Sequence, residues 1–554
     1  MPAWLIALNR LFPIRYMTLV ALGVTALLGA FVWISTGQGQ GATVLGLAGV
    51  MLGLRDLRQT RHAILRNYPV IGHLRFLLEF VRPELRQYFI ESDNEAAPFS
   101  RQQRSLVYQR AKGEPDKRPF GTQLDVHREG YEWINHSLAP TTLASDDFRT
   151  TIGAGRAQPY SASVFNISAM SFGALSANAV LALNSGAKQG GFMHDTGEGS
   201  ISQHHRVHGG DLVWEIGSGY FGCRTDDGLF SEERFVANAT APQVKLIEIK
   251  LSQGAKPGHG GVLPGPKVTA EIAVARGVKA GEDCISPAAH SAFGTPLELL
   301  QFVDRLRTLS GGKPTGFKLC IGHPWEWFAI CKAMLESGIT PDFIVVDGGE
   351  GGTGAAPLEF TDHVGTPLQD GLLLVHNTLV GLGLRARIKL GASGKIVSAF
   401  DIARAMALGA DWCNSARGFM FALGCIQAQH CHTGECPTGV TTQDPHRQQA
   451  LVVPVKSTRV MQYHHSTLHA LKELVQAAGL QHPGDITPAH IVRRVEGDQV
   501  RLLSNQLVFL KPDELLPAVR GEAAWPHKVY ELYWPLAQAA SFAPLRASRE
   551  ALST

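Results

Sequence analysis

The chain has 554 residues, enough for two or more domains around a large core. Hydrophobic residues make up 45% and charged residues 18%, which excludes a disordered chain and leaves room for a small membrane part. A net charge of +3, with no basic stripe interleaved with aromatics, gives no footprint for nucleic acid as a partner.

Met17 to Ile34 is an unbroken, mainly apolar run long enough to cross a bilayer with little tilt. A second apolar run, Ala42 to Leu54, reaches spanning length only from about residue 38, with the Gly37–Gly41 turn at the interface. Arg10 and Arg15 precede the pair, and Arg55, Arg58 and Arg61 follow it. Positive charge on both flanks predicts a membrane hairpin over residues 1–60 with both ends in the cytoplasm. One span plus a re-entrant piece is the alternative, and it keeps the large domain on the same side. A signal peptide would have a shorter apolar region and a small-residue cleavage site. The expected location is thus an inner or plasma membrane anchor with a cytoplasmic catalytic domain. Residues 61–155 read as a mostly helical adaptor. In it Arg75 to Phe89 repeats apolar positions at three and four, interrupted by Pro83.

From 156 to 480 short apolar runs alternate with amphipathic stretches. The expected strands are Val164–Ser168, Phe192–Asp195, Val244–Lys250, Asp283–Ser286, Gly316–Cys320, Phe343–Asp347, Ala386–Leu390 and Asp411–Ser415. Segments such as Leu175–Gln189, Thr295–Leu309, Trp325–Ser337 and Ala399–Leu408 lie between them. This alternation predicts an α/β fold, a (β/α)8 TIM barrel. A doubly wound sheet is the runner-up and lacks its early Gly-x-Gly-x-x-Gly turn. The tail, 481–554, reads as a small α/β extension through Pro488–Arg494 and Val500–Leu510.

Such a barrel places its active site at the C-terminal strand ends. Those ends carry Met170-Ser171-Phe172, Thr196-Gly-Glu198, Lys250, Gln253, Lys256, Ser286, Lys318, Gly351-Gly352-Thr353, Gly391-Ala-Ser393-Gly394, and Ser415-Ala-Arg417. Glycines among the 59 cluster in these loops, as tight backbone approach to a ligand requires. Gly391, Gly394, Ser393, Ser415 and Arg417 suit a phosphate group, against ordinary turns with a surface arginine. Lys250, Lys256 and Lys318 suit a reduced flavin or a substrate carboxylate, against salt bridges to Glu198, Glu248 or Asp347. The histidine run His194, His204, His205, His208 reads as a polar loop rather than a metal site.

Cys425, Cys431 and Cys436 follow the last strand with the spacing C-x5-C-x4-C. Soft ligands this close suit a three-iron cluster, with zinc bound by three cysteines plus His430 or His432 as the rival. The other five of the eight cysteines are scattered, which argues against a disulfide framework and for a reducing compartment.

Residues 155–475 resemble the FMN-binding synthase domain of glutamate synthases. The matching stretches are Asn166–Ser176, Thr196–Gly199, Gln253–Gly258, Gly351–Ala355 and Cys425–Gln443. The resemblance implies a [3Fe-4S] cluster on Cys425, Cys431 and Cys436. It implies FMN near Met170, Ser171, Phe172, Lys318, the Gly351 loop, Ser393 and Arg417. It also implies 2-oxoglutarate or its imine near Gln253, Lys256 and Glu198. The activity implied is reductive amination of 2-oxoglutarate, with electrons relayed from ferredoxin or a reductase subunit. No glutaminase or NADPH/FAD module is evident in the chain, so ammonia is expected from outside, for instance from a separate glutaminase. His259 and Gly348-Gly-Glu350 depart from the family's glutamate and Gly-His-Asp, which leaves two alternatives open. One is amination of another 2-oxo acid or N-substituted glutamate synthesis; the other is a membrane-tethered electron-transfer subunit.

Overall fold

The computed structural model describes residues 13–94, 98–496 and 498–545. Arg10 and the outermost ends of the first and last expected domains lie outside them. The chain forms two units, Met1–Ser92 and Asp93–Thr554.

In the first unit the helices Met17–Thr36 and Gln40–Arg58 form a tight hairpin. A Cβ on Gly46 would stand 2.6 Å from the Ala26 nitrogen, so small residues let the two backbones meet. The stretch Ile14–Thr36 is long and apolar enough to cross a membrane. The second helix has 19 residues and ends in Arg55, Asp56 and Arg58.

The second unit is built on a closed parallel barrel of eight strands. In chain order these are β1 (Phe165–Ile167), β2 (His194–Asp195), β3 (Leu212–Ile216), β4 (Val244–Lys250), β5 (Thr315–Leu319), β6 (Phe343–Asp347), β7 (Lys389–Ser393) and β8 (Trp412–Ser415). Each pairs in parallel with its chain neighbours, and β8 closes onto β1.

Two expected strands need correction. Asp283–Ser286 is no barrel stave: Cys284–Ile285 pairs antiparallel with Val262–Leu263 inside the long β4–β5 connection. The stave the expectation lacks is β3, buried throughout although Glu215 sits in its middle. Strand β7 also begins three residues later than Ala386, after the exposed Ala386 and Arg387.

Strand alternation sorts the interior into layers. Met193, Val213, Leu246, Phe343, Val345 and Trp412 form an apolar plug with Ile152, Tyr160 and Ala162. Those last three belong to the hairpin Arg149–Ile152/Tyr160–Ser163, which seals the N-terminal end. One pleat further on, the inward residues are charged. Gly391 lies mid-strand in the apolar layer, where a Cβ would stand 2.6 Å from the Trp412 ring. Gly391 is therefore a packing glycine, not part of a phosphate loop. Gly391→Ala is expected to cost about 1–3 kcal/mol through overpacking, read as a lowered Tm with unchanged cofactor content.

Outside the barrel, helix Val453–Ala477 packs on Ala177–Gly190 and Arg101–Lys112. The tail strands Ile491–Arg494 and Val500–Leu502 form a sheet with Glu132–Ile134. The tail and the segment ahead of the barrel thus share one small sheet.

Candidate active site

Above the apolar plug, Asp195, Glu215 and Glu248 project inward from β2, β3 and β4 with carboxylate oxygens within 4.8 Å of one another. Such a triad could hold a metal, but the Lys318 ammonium from β5 bonds Glu215 and stands 3.6 Å from Glu248. The ammonium occupies the role a cation would take. Burial would lower Lys318, yet Glu215 and Glu248 outweigh it and push it well up. Three carboxylates share one cation, so protons must balance the rest. Burial, with Asp195 and Glu215 alongside, raises Glu248 well above the carboxylate range. Burial and Glu215 lift Asp195 from 3.8 to about 7.

The folded state holds a proton on Asp195 that the unfolded chain releases near pH 4. Stability from this group is full below that pH and declines as pH rises to about 7. Asp195→Asn is expected to flatten the fall in Tm between pH 4 and 7, measured by thermal unfolding across that range.

The β4–β5 connection folds over the barrel mouth and brings cations to Glu198, which follows β2. Lys250, at the end of β4, pairs with Glu198 at 2.9 Å. Burial alone would raise Glu198, but Lys250, Arg276 and Lys256 together hold it below its ordinary range. His290 fixes Lys250 from above: Nε2 donates to the Lys250 carbonyl at 2.9 Å, and Nδ1 accepts from the Tyr220 hydroxyl at 3.1 Å. Burial lowers His290 to about 4, so it is a neutral spacer. Arg276, 5% exposed, donates to the Phe172 carbonyl at 3.1 Å and leaves Nε buried without a partner.

Lys256 is the informative residue. It is 7% exposed, and no carboxylate or other acceptor among the described residues bonds its ammonium. Burial lowers its pKa, with Glu198 partly offsetting. Gln253, half-buried on the same connection, likewise has no side-chain partner among the described residues. The close approach of this connection to β6 depends on Gly254: its N–H bonds Asp347 Oδ2 at 2.8 Å, and a Cβ would fall on the Gly348 carbonyl. The carboxylate beside Lys256, Glu198, is already paired with Lys250, so a bound anion would stabilise the Lys256 ammonium further.

On the other side of the mouth stand hydroxyls from three strand ends. Ser168 Oγ lies 3.3 Å from Ser393 Oγ, and Ser415 Oγ donates to the Ile396 carbonyl at 2.6 Å. After Gly394, Lys395 takes a left-handed φ of 53°, the kind of turn whose N–H groups form an anion nest. Met170 and Phe172 are buried, and Gly197 packs against the Ser171 nitrogen.

Arg417 is placed differently from the phosphate expectation. It donates to the Thr353 carbonyl at 2.9 Å and to Cys431 Sγ at 3.8 Å. It therefore ties the Gly351–Gly354 loop to the cysteine loop, where Gly352 faces its guanidinium and Gly354 faces Cys431. Lys267, from the β4–β5 connection, donates to the Cys431 carbonyl at 2.8 Å.

Each of the three sulfurs has a hydrogen-bond partner. Cys425 Sγ accepts from the Gln427 N–H at 3.5 Å, Cys431 from Arg417, and Cys436 pairs with the Thr438 hydroxyl at 3.4 Å. Burial would raise Cys436, but donors from Thr438 and the Thr441 backbone bring it to about 7. Gln427 and Gln429 both take positive φ, so the loop is held in a constrained wrap. Three zinc-bound sulfurs would stand about 4 Å apart, closer than this loop brings all three together. His430 and His432 are exposed and join no such group among the described residues. Three cysteine sulfurs on one loop are a donor set suited to a sulfur-ligated metal or iron–sulfur centre.

Of the two departures from the family pattern, Glu350 lies against Gly394 and His259 is on the surface. Glu350 accepts the Leu368 N–H at 2.9 Å, capping helix Leu368–Gly381. His259 is exposed, with its ring edge-on to Phe360 at 5.5 Å. Lys318, expected at the cofactor, has its ammonium committed to the buried carboxylates. Sequence reasoning missed Arg276, His290, Glu215 and Lys267. The one available signal was an arginine ending the short apolar helix Ala270–Arg276 just before Gly277.

Comparison with known proteins agrees in extent with this architecture. Residues 136–481 match the conserved region in glutamate synthase. The glutamate synthase large subunit-like protein YerD of Bacillus subtilis is 39% identical over 494 residues, covering 82% of this chain and 94% of its own length. The archaeal glutamate synthase [NADPH] of Methanocaldococcus jannaschii is 38% identical over 315 residues, covering 57% of this chain and 58% of its own. Among solved structures, a flavocytochrome b2 mutant with pyruvate bound overlays 87% of this chain and 97% of its own at a TM-score of 0.41 and 13% identity. The chain belongs to the glutamate synthase family, a family of oxidoreductases.

Proposed function

We propose that the protein reductively aminates 2-oxoglutarate to L-glutamate, using FMN, a [3Fe-4S] cluster, external ammonia and an external electron donor. The observation that carries this reading is the Lys256 side chain, 7% exposed and with no hydrogen-bond or ion-pair partner for its ammonium among the described residues, beside Lys250, Arg276 and Glu198. That pocket holds two positive charges more than negative ones, which a dicarboxylate would balance.

In this reading Arg276 and Lys256 hold the substrate carboxylates, while Glu198 is spent in keeping Lys250 in place. Ammonia replaces the oxo oxygen as water leaves, and the resulting imine takes up two electrons and two protons to become the amine. Lys256, lowered by burial, is suited to give a proton from Nζ to the substrate nitrogen. FMN, when bound, supplies the hydride chemistry. Met170–Phe172, the Ser168, Ser393 and Ser415 hydroxyls and the Gly394–Lys395 turn would hold it. Cys425, Cys431 and Cys436 would hold the cluster, with Arg417 and Lys267 offsetting its negative charge. The electron donor would be a reduced ferredoxin or a reductase subunit, and a separate glutaminase could supply ammonia. The apolar helix Ile14–Thr36 supports a membrane anchor with the barrel in the cytoplasm.

A second reading draws on His259, whose exposed imidazole lies on the Lys256 loop. It favours a different or larger 2-oxo acid at the same cations. Steady-state turnover with reduced ferredoxin and ammonia, across a panel of 2-oxo acids, separates the two. Glutamate formation is expected; activity with another acid alone supports the second reading.

A further inference from the structure

The first unit contains one element that neither the hairpin nor the barrel chemistry uses. Asp56, in the last turn of Gln40–Arg58, is 2% exposed and accepts the Val70 N–H at 2.9 Å and bonds His73 Nε2 at 3.0 Å. Val70 also lies beside Gly53 and Leu19. These contacts pin the start of helix Gly72–Leu85 to the end of the hairpin that carries Arg15, Arg55 and Arg58. In a membrane hairpin that end is the water boundary.

Along the pinned helix Ile71, Leu74, Leu77, Leu78 and Leu85 recur at spacings that share one helical face, and all are exposed. Arg75 and Arg82 border this stripe, and the turn Arg86–Ile90 adds exposed Phe89 and Ile90. A stripe this long is not normally left to water. Arginines along its edge are what an anionic headgroup layer takes up, while their stems lie along the acyl chains.

We infer that the Ile71–Leu85 stripe lies flat in the headgroup layer of an anionic phospholipid bilayer, as an interfacial helix continuous with the hairpin. This rests on the membrane reading of the hairpin. Continuity with the arginine-flanked boundary and the bordering Arg75 and Arg82 favour lipid over a protein partner or a second copy.

The test uses the full chain in nanodiscs, with a benzophenone amino acid placed singly at Leu78, Leu85 or Glu79. Leu78 and Leu85 should form lipid adducts and Glu79 should not, with yield falling when phosphatidylglycerol is replaced by phosphatidylcholine. Protein adducts at the stripe, or no adducts there, would overturn the inference. Alkaline carbonate extraction separates the two failures. A chain released by carbonate defeats the membrane reading and this inference together; a retained chain whose stripe does not label lipid defeats only the inference.

Discussion

Lys256→Met is expected to lower kcat/KM for the 2-oxo acid by about 10²–10³-fold, the scale of losing one charged contact to the reacting substrate. FMN and iron content should not change, because no cofactor-facing residue contacts its ammonium. The same substitution should leave Tm unchanged or slightly raised, since the largely buried side chain forms no hydrogen bond or ion pair among the described residues. That pairing of lost activity with retained stability distinguishes a ligand-binding lysine from a structural one. Lys250→Met is the control. It removes the 2.9 Å partner of the half-buried Glu198 carboxylate, so it should lower stability as well as activity. A Lys256 variant that loses stability to the same degree as the Lys250 variant would mean that the ammonium has a structural partner.

Cys431→Ser should abolish the three-iron signal in anaerobic EPR and slow donor-driven flavin reduction by more than about 100-fold, beyond a loss confined to an outer partner of a metal centre. Direct reduction of the flavin by dithionite should persist, since the barrel does not depend on the loop for its strand pairing. Cys431 is the informative choice because three elements meet it: the Gly351–Gly354 loop through Gly354, the β4–β5 connection through Lys267, and the segment after β8 through Arg417. A colourless wild-type protein with one zinc, lost in the variant, would refute the cluster.

The barrel was legible because apolar runs and amphipathic stretches alternate, and Val244–Lys250 and Phe343–Asp347 stand where the pattern predicts. It failed at Leu212–Ile216, where a buried glutamate interrupts the apolar run. That glutamate makes sense only once Lys318, a hundred residues on, is seen opposite it. It failed again at Cys284–Ile285, whose short apolar run serves an antiparallel pair within the mouth's cover rather than the wall. The cysteine loop and the places of Lys250 and Lys256 at the mouth were readable from residue type and position, whereas Lys318 turned out to be committed to Glu215 and Glu248. Arg276 and His290 were not, since their place at the mouth is set by the folding of a connection with no periodicity of its own. Arg417 shows the limit of reasoning from strand ends: its position in the chain suggested phosphate, while its hydrogen bonds run to Thr353 and Cys431.

Electron passage to a 2-oxo acid imine at Lys256, as proposed, is tested most directly by anaerobic stopped flow with the pre-reduced protein. On mixing with 2-oxoglutarate and ammonia, the flavin absorbance should return within a single turnover, with one glutamate formed for every two electrons lost, and Lys256→Met should leave the flavin reduced. Reoxidation that proceeds at the same rate without any 2-oxo acid, or with no amino acid formed, would contradict the account.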